Sequence, residues 1–235
     1  MLLYQDVSES EPHDCPYIEK QAKETFFLAK EVSSDELDYL FNFGWRRFAY
    51  YYFKPACDDC RQCTPIRIPI SQFKASKSQR RILNKSAKHE PKFNVVFADK
   101  HYHPEIYDIY KSHNTRFEQA CDTEQAFIDA HFNDTCPSMQ SEYYLGEKLI
   151  AVGFMDISDN TISSSYFIYH TDYEYLNLGT LSVLKEIEYA KQLGMSFYHL
   201  GYWIKDNISM AYKNKFHPHE LMDWKTGQWE LILKV

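Results

Sequence analysis

An α+β fold in two unequal parts is what this chain of 235 residues predicts, and three observations predict it. A capped helical segment and several strand-like runs crowd the first hundred residues, around a cluster of cysteines. Later in the chain three strand-like runs follow one another across short turns, the pattern of an antiparallel meander. A long amphipathic helix and a strongly apolar strand then alternate. The division expected is residues 1–98, the smaller, cysteine-containing part, and residues 99–235.

Element by element, Ser33-Ser34-Asp35-Glu36 is a capping box ahead of Leu37, Leu40 and Phe41, with Gly44 as the stop, so a helix is expected between them. Phe48 to Phe53 reads as one strand broken at Pro55, and Ile66 to Ile70 and Phe93 to Phe97 as two more. Pro104 opens a helix to about Phe117, and Asp122-x-x-Gln125 opens another. Glu142–Leu145, Leu149–Ile157 and Thr161–Tyr169 form the meander, turned at Gly146-Glu147 and Asp159-Asn160. A helix over Asn177 to Leu193 follows, with Val183, Leu184, Ile187 and Ala190 as its apolar stripe and Gly194 as its stop. Phe197 to Trp203 is a strand, Met210 to Lys215 a short helix, and Trp229 to Val235 a closing strand. Meander, helix, strand, helix, strand is the element order of a GNAT-like acyltransferase domain, an analogy that speaks to fold and not to substrate.

Composition narrows the class. Hydrophobic residues are 44 % and charged residues 25 %, as in ordinary globular proteins. The N-terminal run MLLYQDVSESEPHDC lacks the basic start of a signal peptide, and no apolar stretch is long enough to span a membrane, so a cytoplasmic location is expected. In that reducing compartment the six cysteines are not read as a disulfide framework, and Cys121 and Cys136 read as small hydrophobic residues. The net charge of -7 conceals a division: residues 45–92 carry +9 and the remainder -16. The densest basic run, Lys74 to Lys88, mixes cations with serines that can donate to phosphate oxygens. Such a strip is either a solvated face or a polyanion-binding surface.

Several segments carry a resemblance. They are Cys15-Pro-Tyr17, Gly44-Trp-Arg46-Arg47, Tyr52-Phe-Lys-Pro-Ala-Cys57-x-x-Cys60-x-x-Cys63-x-Pro-Ile-Arg67 and Ser76-Lys-Ser-Gln79-Arg80-Arg81. Further on come Leu178-Gly179-Thr180, Leu200-Gly201-Tyr202-Trp203-Ile204, and Met210-Ala-Tyr212-Lys213 with Phe216-x-Pro218. In this order and spacing they resemble the bacterial aspartate/glutamate leucyltransferases, relatives of the eukaryotic arginyl-tRNA–protein transferases. The resemblance implies a cysteine-containing N-terminal domain and a GNAT-like C-terminal domain. It also implies leucyl-tRNA as donor, proteins with N-terminal Asp or Glu as acceptors, and a role in the N-degron (N-end rule) pathway. Acetyl-CoA is not implied, and Leu176-Asn-Leu-Gly179 has one glycine and no leading base, a poor pyrophosphate cradle.

An aminoacyl-tRNA ester is already activated, and an α-amine is substantially neutral near neutral pH, so positioning, a proton acceptor and oxyanion stabilisation suffice. No cofactor is required for transfer. Lys77, Arg80, Arg81 and Lys85 are the candidates for gripping charged tRNA. Arg46 and Arg47, with Arg80 as a third candidate, offer guanidinium forks for the acceptor's carboxylate. The Leu200–Lys213 run is the expected centre, with Tyr202 as hydrogen-bond donor, Asp206 and His199 as proton acceptors, and Lys205 and Lys213 on the 3′ adenosine phosphates. Tyr202 also fits a plain core role. Cys57, Cys60 and Cys63, with Cys15 as a fourth thiolate, have the donor chemistry for an iron–sulfur cluster or zinc, or are four reduced thiols packed together. Three other functions stay open: an arginyl transferase, a CoA-dependent N-acetyltransferase, and a non-catalytic module binding tRNA or degrons.

Overall fold

The computed structural model describes residues 1–116, 123–133 and 135–233. The readings placed on Phe117, Cys121, Asp122 and the last two residues lie outside that range. The N-terminal layer contains β1 (Leu2–Glu9), β2 (His13–Asp14), β3 (Gln21–Ala22), β4 (Glu24–Lys30), α1 (Ser34–Asn42), β5 (Arg46–Phe48) and β6 (Tyr51–Pro55). β1, β4, β6 and β5 form an antiparallel sheet in that order. Both halves of the Ser33–Glu36 capping box are made, so the first turn of α1 starts with its donors satisfied. The helix turns Leu37, Leu40 and Phe41 onto Phe27, Trp45 and Tyr52. Gly44 ends it at φ +77°, where an added Cβ would lie 2.6 Å from the Trp224 ring. The expected strand Phe48–Phe53 is interrupted by a hairpin turn at Ala49 and Tyr50, with Phe48 ending β5 and Tyr51–Phe53 lying in β6. Ala49 adopts φ 51°, and its carbonyl is held by Arg47 Nη1 (2.8 Å) and Thr135 Oγ1 (3.0 Å), which keep a non-glycine residue in the left-handed region.

The main layer follows: β7 (Thr64–Pro69), α2 (Lys77–Ala87), β8 (Phe93–Asp99), α3 (Pro104–Asn114), α4 (Glu124–His131), β9 (Ser138–Leu145), β10 (Lys148–Ile157), β11 (Thr161–Tyr169), α5 (Leu178–Gln192), β12 (Phe197–Trp203), α6 (Ile208–Ala211), β13 (His219–Met222) and β14 (Trp229–Ile232). One sheet runs β14-β13-β7-β12-β11-β10-β9-β8. Only β11 and β12 are parallel neighbours, joined across α5 as a parallel pair requires. Two strands that begin before residue 98 join this sheet. β7 hydrogen-bonds between β12 and β13, and β8 edges the sheet beside β9, so both belong to the large sheet. A cut at residue 98 would strip two strands from it.

α5 lays Val183, Leu184, Ile187 and Ala190 on Ile68, Met155, Ile162, Tyr198 and Leu200. Two buried cations tie the layers together. Arg67 is stacked between Phe197 (3.7 Å to the ring centre) and Trp229 (4.2 Å), with Nε on Glu220 (2.6 Å) and Nη1 on Asn42 of α1 (2.5 Å). Arg47 pairs with Asp156 on β10.

Candidate active site

β11 and β12 pair over only three residues, Thr161–Ser163 against Phe197–His199. Beyond Ser163 they part. Register shifts occur at that level on both flanks, between Phe154 and Met155 where β10 meets β11, and between His199 and Gly201 where β12 meets β7. An extra residue on each flank bends the strands away from one another, and such bulges recur beside active sites because they open a sheet without ending it. The gap joins the face covered by the N-terminal layer to the face covered by α5.

Arg46 fills the first face of this gap. β5 brings it there from the end of the α1–β5 turn, and it gives Nη1 to Ser163 Oγ (2.6 Å) and Nη2 to the Ser164 carbonyl (2.5 Å). It lies flat on Gly201, where an added Cβ would sit 3.5 Å from Nε. A guanidinium has five N–H donors, so these two bonds leave Arg46 able to grip a carboxylate. Among the described residues no Asp or Glu pairs with it. Lys213, from the turn Tyr212–Lys215 after α6, stands next to it with Nζ on the Tyr202 carbonyl (3.0 Å). Burial first, then the Arg46 charge, pushes the Lys213 ammonium down to about 7, and burial likewise lowers Arg46. Arg46 and Lys213 are thus two half-buried cations side by side, and among the described residues no Asp or Glu is paired with either. Tyr17 stands near Arg46, its carbonyl fixed by Asn207 Nδ2 (3.0 Å), and its hydroxyl pKa is raised by burial and the nearby thiols.

The structure sorts the other expected residues. Arg47, next to Arg46 in sequence, points the opposite way and is committed to Asp156, Ala49 and Thr135; a role for it in holding substrate is not what this geometry supplies. Tyr202 is buried and gives its hydroxyl to the Gly44 carbonyl (2.7 Å), which places it as a brace between β12 and α1. His199 is 3 % exposed, wedged between Phe41 and Trp229, and held neutral by burial and by Arg67 and Arg46. A base sealed from solvent by two rings has no path to an amine. Lys205 and Asp206 are exposed in the turn between β12 and α6. Lys213 stands beside Arg46, with its ammonium on the Tyr202 carbonyl. Ser163 and Ser164 escape a motif reading altogether, and Tyr17 was legible only as the last residue of Cys15-Pro-Tyr17.

The four N-terminal thiols gather beside this pocket. Burial and the neighbouring Cys15, Cys57 and Cys60 push the Cys63 thiol up to about 12. Cys57 leans on the Lys23 carbonyl, and Cys57, Cys60 and Cys63 line a surface cavity with Trp224. Among the described residues no three Cys, His, Asp or Glu donors converge as a metal-ligand set.

On the α5 side a cleft of about 640 Å³ lies between the N-termini of α2 and α5. Ser76, Lys77, Arg81, Thr180, Tyr212 and Lys215 are among its walls. α2 is a helix the sequence reading left as a basic run; Ser76 and Gln79 cap it reciprocally and Gln79 is tied to the Lys215 carbonyl (3.3 Å). Lys77, Arg80, Arg81 and Lys85 are all exposed on it. Arg80 bends back to the Ala75 carbonyl (2.5 Å), and Lys85 reaches toward the Tyr175 ring and carbonyl. No side chain caps α5, so its leading N–H groups remain for an anion, and no Cβ-sized obstacle surrounds Gly179.

The family described as "Arginine-tRNA-protein transferase, C terminus" matches residues 102–223, and "Arginine-tRNA-protein transferase, N terminus" matches residues 13–81. An aspartate/glutamate leucyltransferase of Marinobacter nauticus is 31 % identical over 221 residues, 93 % of this chain and 92 % of that one. One of Helicobacter hepaticus is 32 % identical over 222 residues, 91 % and 90 % of the two chains. Among solved structures, FemX superposes with a TM-score of 0.53 at 10 % identity over 82 % of this chain and 67 % of its own. L-PGS from Bacillus licheniformis does so at 0.50 and 12 %, over 78 % of this chain and 54 % of its larger self. At such identities these two speak to fold alone, a GNAT-like core. Matched by both halves of the family and by relatives along nine tenths of their own length, the chain belongs to the arginine-tRNA-protein transferase family of aminoacyltransferases.

Proposed function

We propose that the protein transfers leucine from leucyl-tRNA to the α-amine of proteins that begin with Asp or Glu, marking them for degradation in the cytoplasm. The observation that carries this reading is the Arg46–Lys213 pair at the parting of β11 and β12, two neighbouring cations that no Asp or Glu among the described residues neutralises. The carboxylate of an N-terminal Asp or Glu lands there, which places its α-amine, a few bonds away, beside Ser164. The donor enters from the opposite face. The exposed cations of α2 take backbone phosphates, and the cleft between α2 and α5 takes the 3′ end, so the ester carbonyl meets the amine inside the gap. The amine attacks the carbonyl carbon, the ester C–O bond breaks, and the ribose oxygen leaves with a proton. The ester supplies the driving force, so this reading needs no cofactor. The names of the relatives support leucine as the group moved and Asp or Glu as the acceptor.

The donor is tested by offering leucyl-tRNA and arginyl-tRNA side by side with one Asp-initiated peptide. Extension by leucine is expected; extension by arginine alone would transfer the reading to the other branch of the family. The tRNA surface is tested by replacing Arg80 and Arg81 with Ala together. Both side chains are exposed, so melting is expected to change little. Affinity for tRNA is expected to fall about tenfold at moderate salt, and the salt-dependence slope by about two, one per lost phosphate contact.

A further inference from the structure

Glu186, on α5, is a carboxyl with no exposure, and the reaction so far described does not use it. It points into the sheet beneath the gap. Tyr198 on β12 gives its hydroxyl to Oε2 (2.5 Å), and Ser141 on β9 gives its hydroxyl to Oε1 (3.1 Å). The half-buried Ser164 hydroxyl on β11 is a further polar neighbour of the carboxyl, while Tyr143 on β9 and Tyr212 after α6 face it more distantly. None of these neighbours is a cation. The sheet is cut to admit the group: at Gly153 on β10 an added Cβ would stand 2.7 Å from Glu186 Oε1 and 2.5 Å from Ser141 Oγ. Burial pushes the Glu186 carboxyl up to about 7 against the opposing pull of its hydroxyl donors, Tyr198 first. An acid kept dry without a counter-charge costs stability, and such groups concentrate where a proton must be moved.

We infer that Glu186 is the proton acceptor for the attacking amine, reached through the Ser164 hydroxyl at the parting of β11 and β12. Ser164 is shared by both halves of the site, since its carbonyl holds Arg46 on one face and its side chain neighbours Glu186 on the other. As the C–N bond forms, a proton passes from the amine nitrogen to Ser164 Oγ while the Ser164 proton passes to Glu186. As the ester C–O bond breaks, the same proton returns to the ribose oxygen, and Glu186 ends as the carboxylate it began as. Tyr198 holds the carboxylate in place through its hydroxyl. This rests on the transfer reading above.

The test is single-turnover transfer at saturating leucyl-tRNA and Asp-initiated peptide, from about pH 5.5 to 8, with wild type, Glu186→Gln, Ser164→Ala and Tyr198→Phe. Below pH 7 the wild-type rate is expected to rise with a log–log slope approaching two, one proton from the amine and one from Glu186. Glu186→Gln is expected to lose about 100-fold in rate and to leave a slope of one. Ser164→Ala is expected to lose rate comparably, and Tyr198→Phe to move the lower limb to higher pH. Melting supplies the control. Because the folded carboxyl titrates above its ordinary value, its penalty grows as pH rises from about 4.5 to 7, so Glu186→Gln is expected to be no less stable than wild type above pH 7. A slope unchanged in Glu186→Gln, whatever its rate, would overturn the assignment. Should that variant fail to fold, Ser164→Ala at full rate or Tyr198→Phe with an unmoved limb would overturn it instead. Wild type without transfer would defeat the transfer reading, a separate result.

Discussion

Arg46→Met is expected to lower leucyl transfer to an Asp-initiated peptide by two to three orders of magnitude. Truncating one partner of a desolvated, hydrogen-bonded charge pair costs about 2–5 kcal/mol, and each 1.4 kcal/mol is tenfold. Methionine keeps much of the bulk over Gly201 and removes the donors, so Lys213 alone faces the carboxylate. The Ser163 hydroxyl and Ser164 carbonyl lose their partner, which costs about 1–3 kcal/mol of stability and leaves the protein folded. Arg46→Lys restores charge without the fork and should recover only part of the rate. Single-turnover rates with a thermal melt on each variant check this. The discriminating sign is a loss confined to acidic acceptors: an Asn-initiated peptide, already poor, should be equally poor with Arg46→Met.

One residue along, the expected result reverses. Arg47→Ala should destabilise the fold by about 3–5 kcal/mol, because Asp156 would be left 2 % exposed with its charge unpaired. For a chain of this length that lowers the melting temperature by roughly 10 °C. The Ala49 carbonyl and the Thr135 hydroxyl lose a donor as well, so the β5–β6 turn loosens and carries Arg46 with it. Pairing Arg47→Met with Asp156→Leu removes both charges at once and should recover much of the stability, which calorimetry of the single and double variants would show. Two adjacent arginines that read alike in sequence thus separate into one that no acidic side chain among the described residues holds, proposed here to meet substrate, and one that holds the layer.

Their separation shows where sequence reasoning stops. Strand alternation decides which face each residue takes, but the alternation of a three-residue strand ending in a turn is too short to assign from pattern. The meander, α5 and β12 were legible because their apolar periods are long and their turns carry Gly146 or Asn160. The Ala49 turn was not, since it depends on Arg47 and Thr135 arriving from elsewhere in the chain. α2 was hidden by its own charge: its buried residues are Gln79 and Ser86, so it has almost no apolar stripe, and its capping box was the overlooked signal. The assignment of β7 and β8 to the main sheet is a matter of long-range pairing that no local pattern encodes. At the site, motif order pointed to Arg46 and to the run ending in Lys213, whereas Tyr202 and His199 proved to be packed within the core for reasons of burial. Glu186 sits inside the apolar stripe of α5, and a lone acid there was visible in the sequence without any indication of what would surround it.

The most direct measurement gives wild-type protein leucyl-tRNA and two peptides that differ only in starting with Asp or with Asn. The two side chains are nearly the same size, and only one brings a negative charge to Arg46 and Lys213. The Asp peptide is expected to gain one leucine at its N-terminus, and the Asn peptide to do so at least a hundredfold more slowly. Equal extension of both, or none of either, would contradict a site built on two cations awaiting a carboxylate.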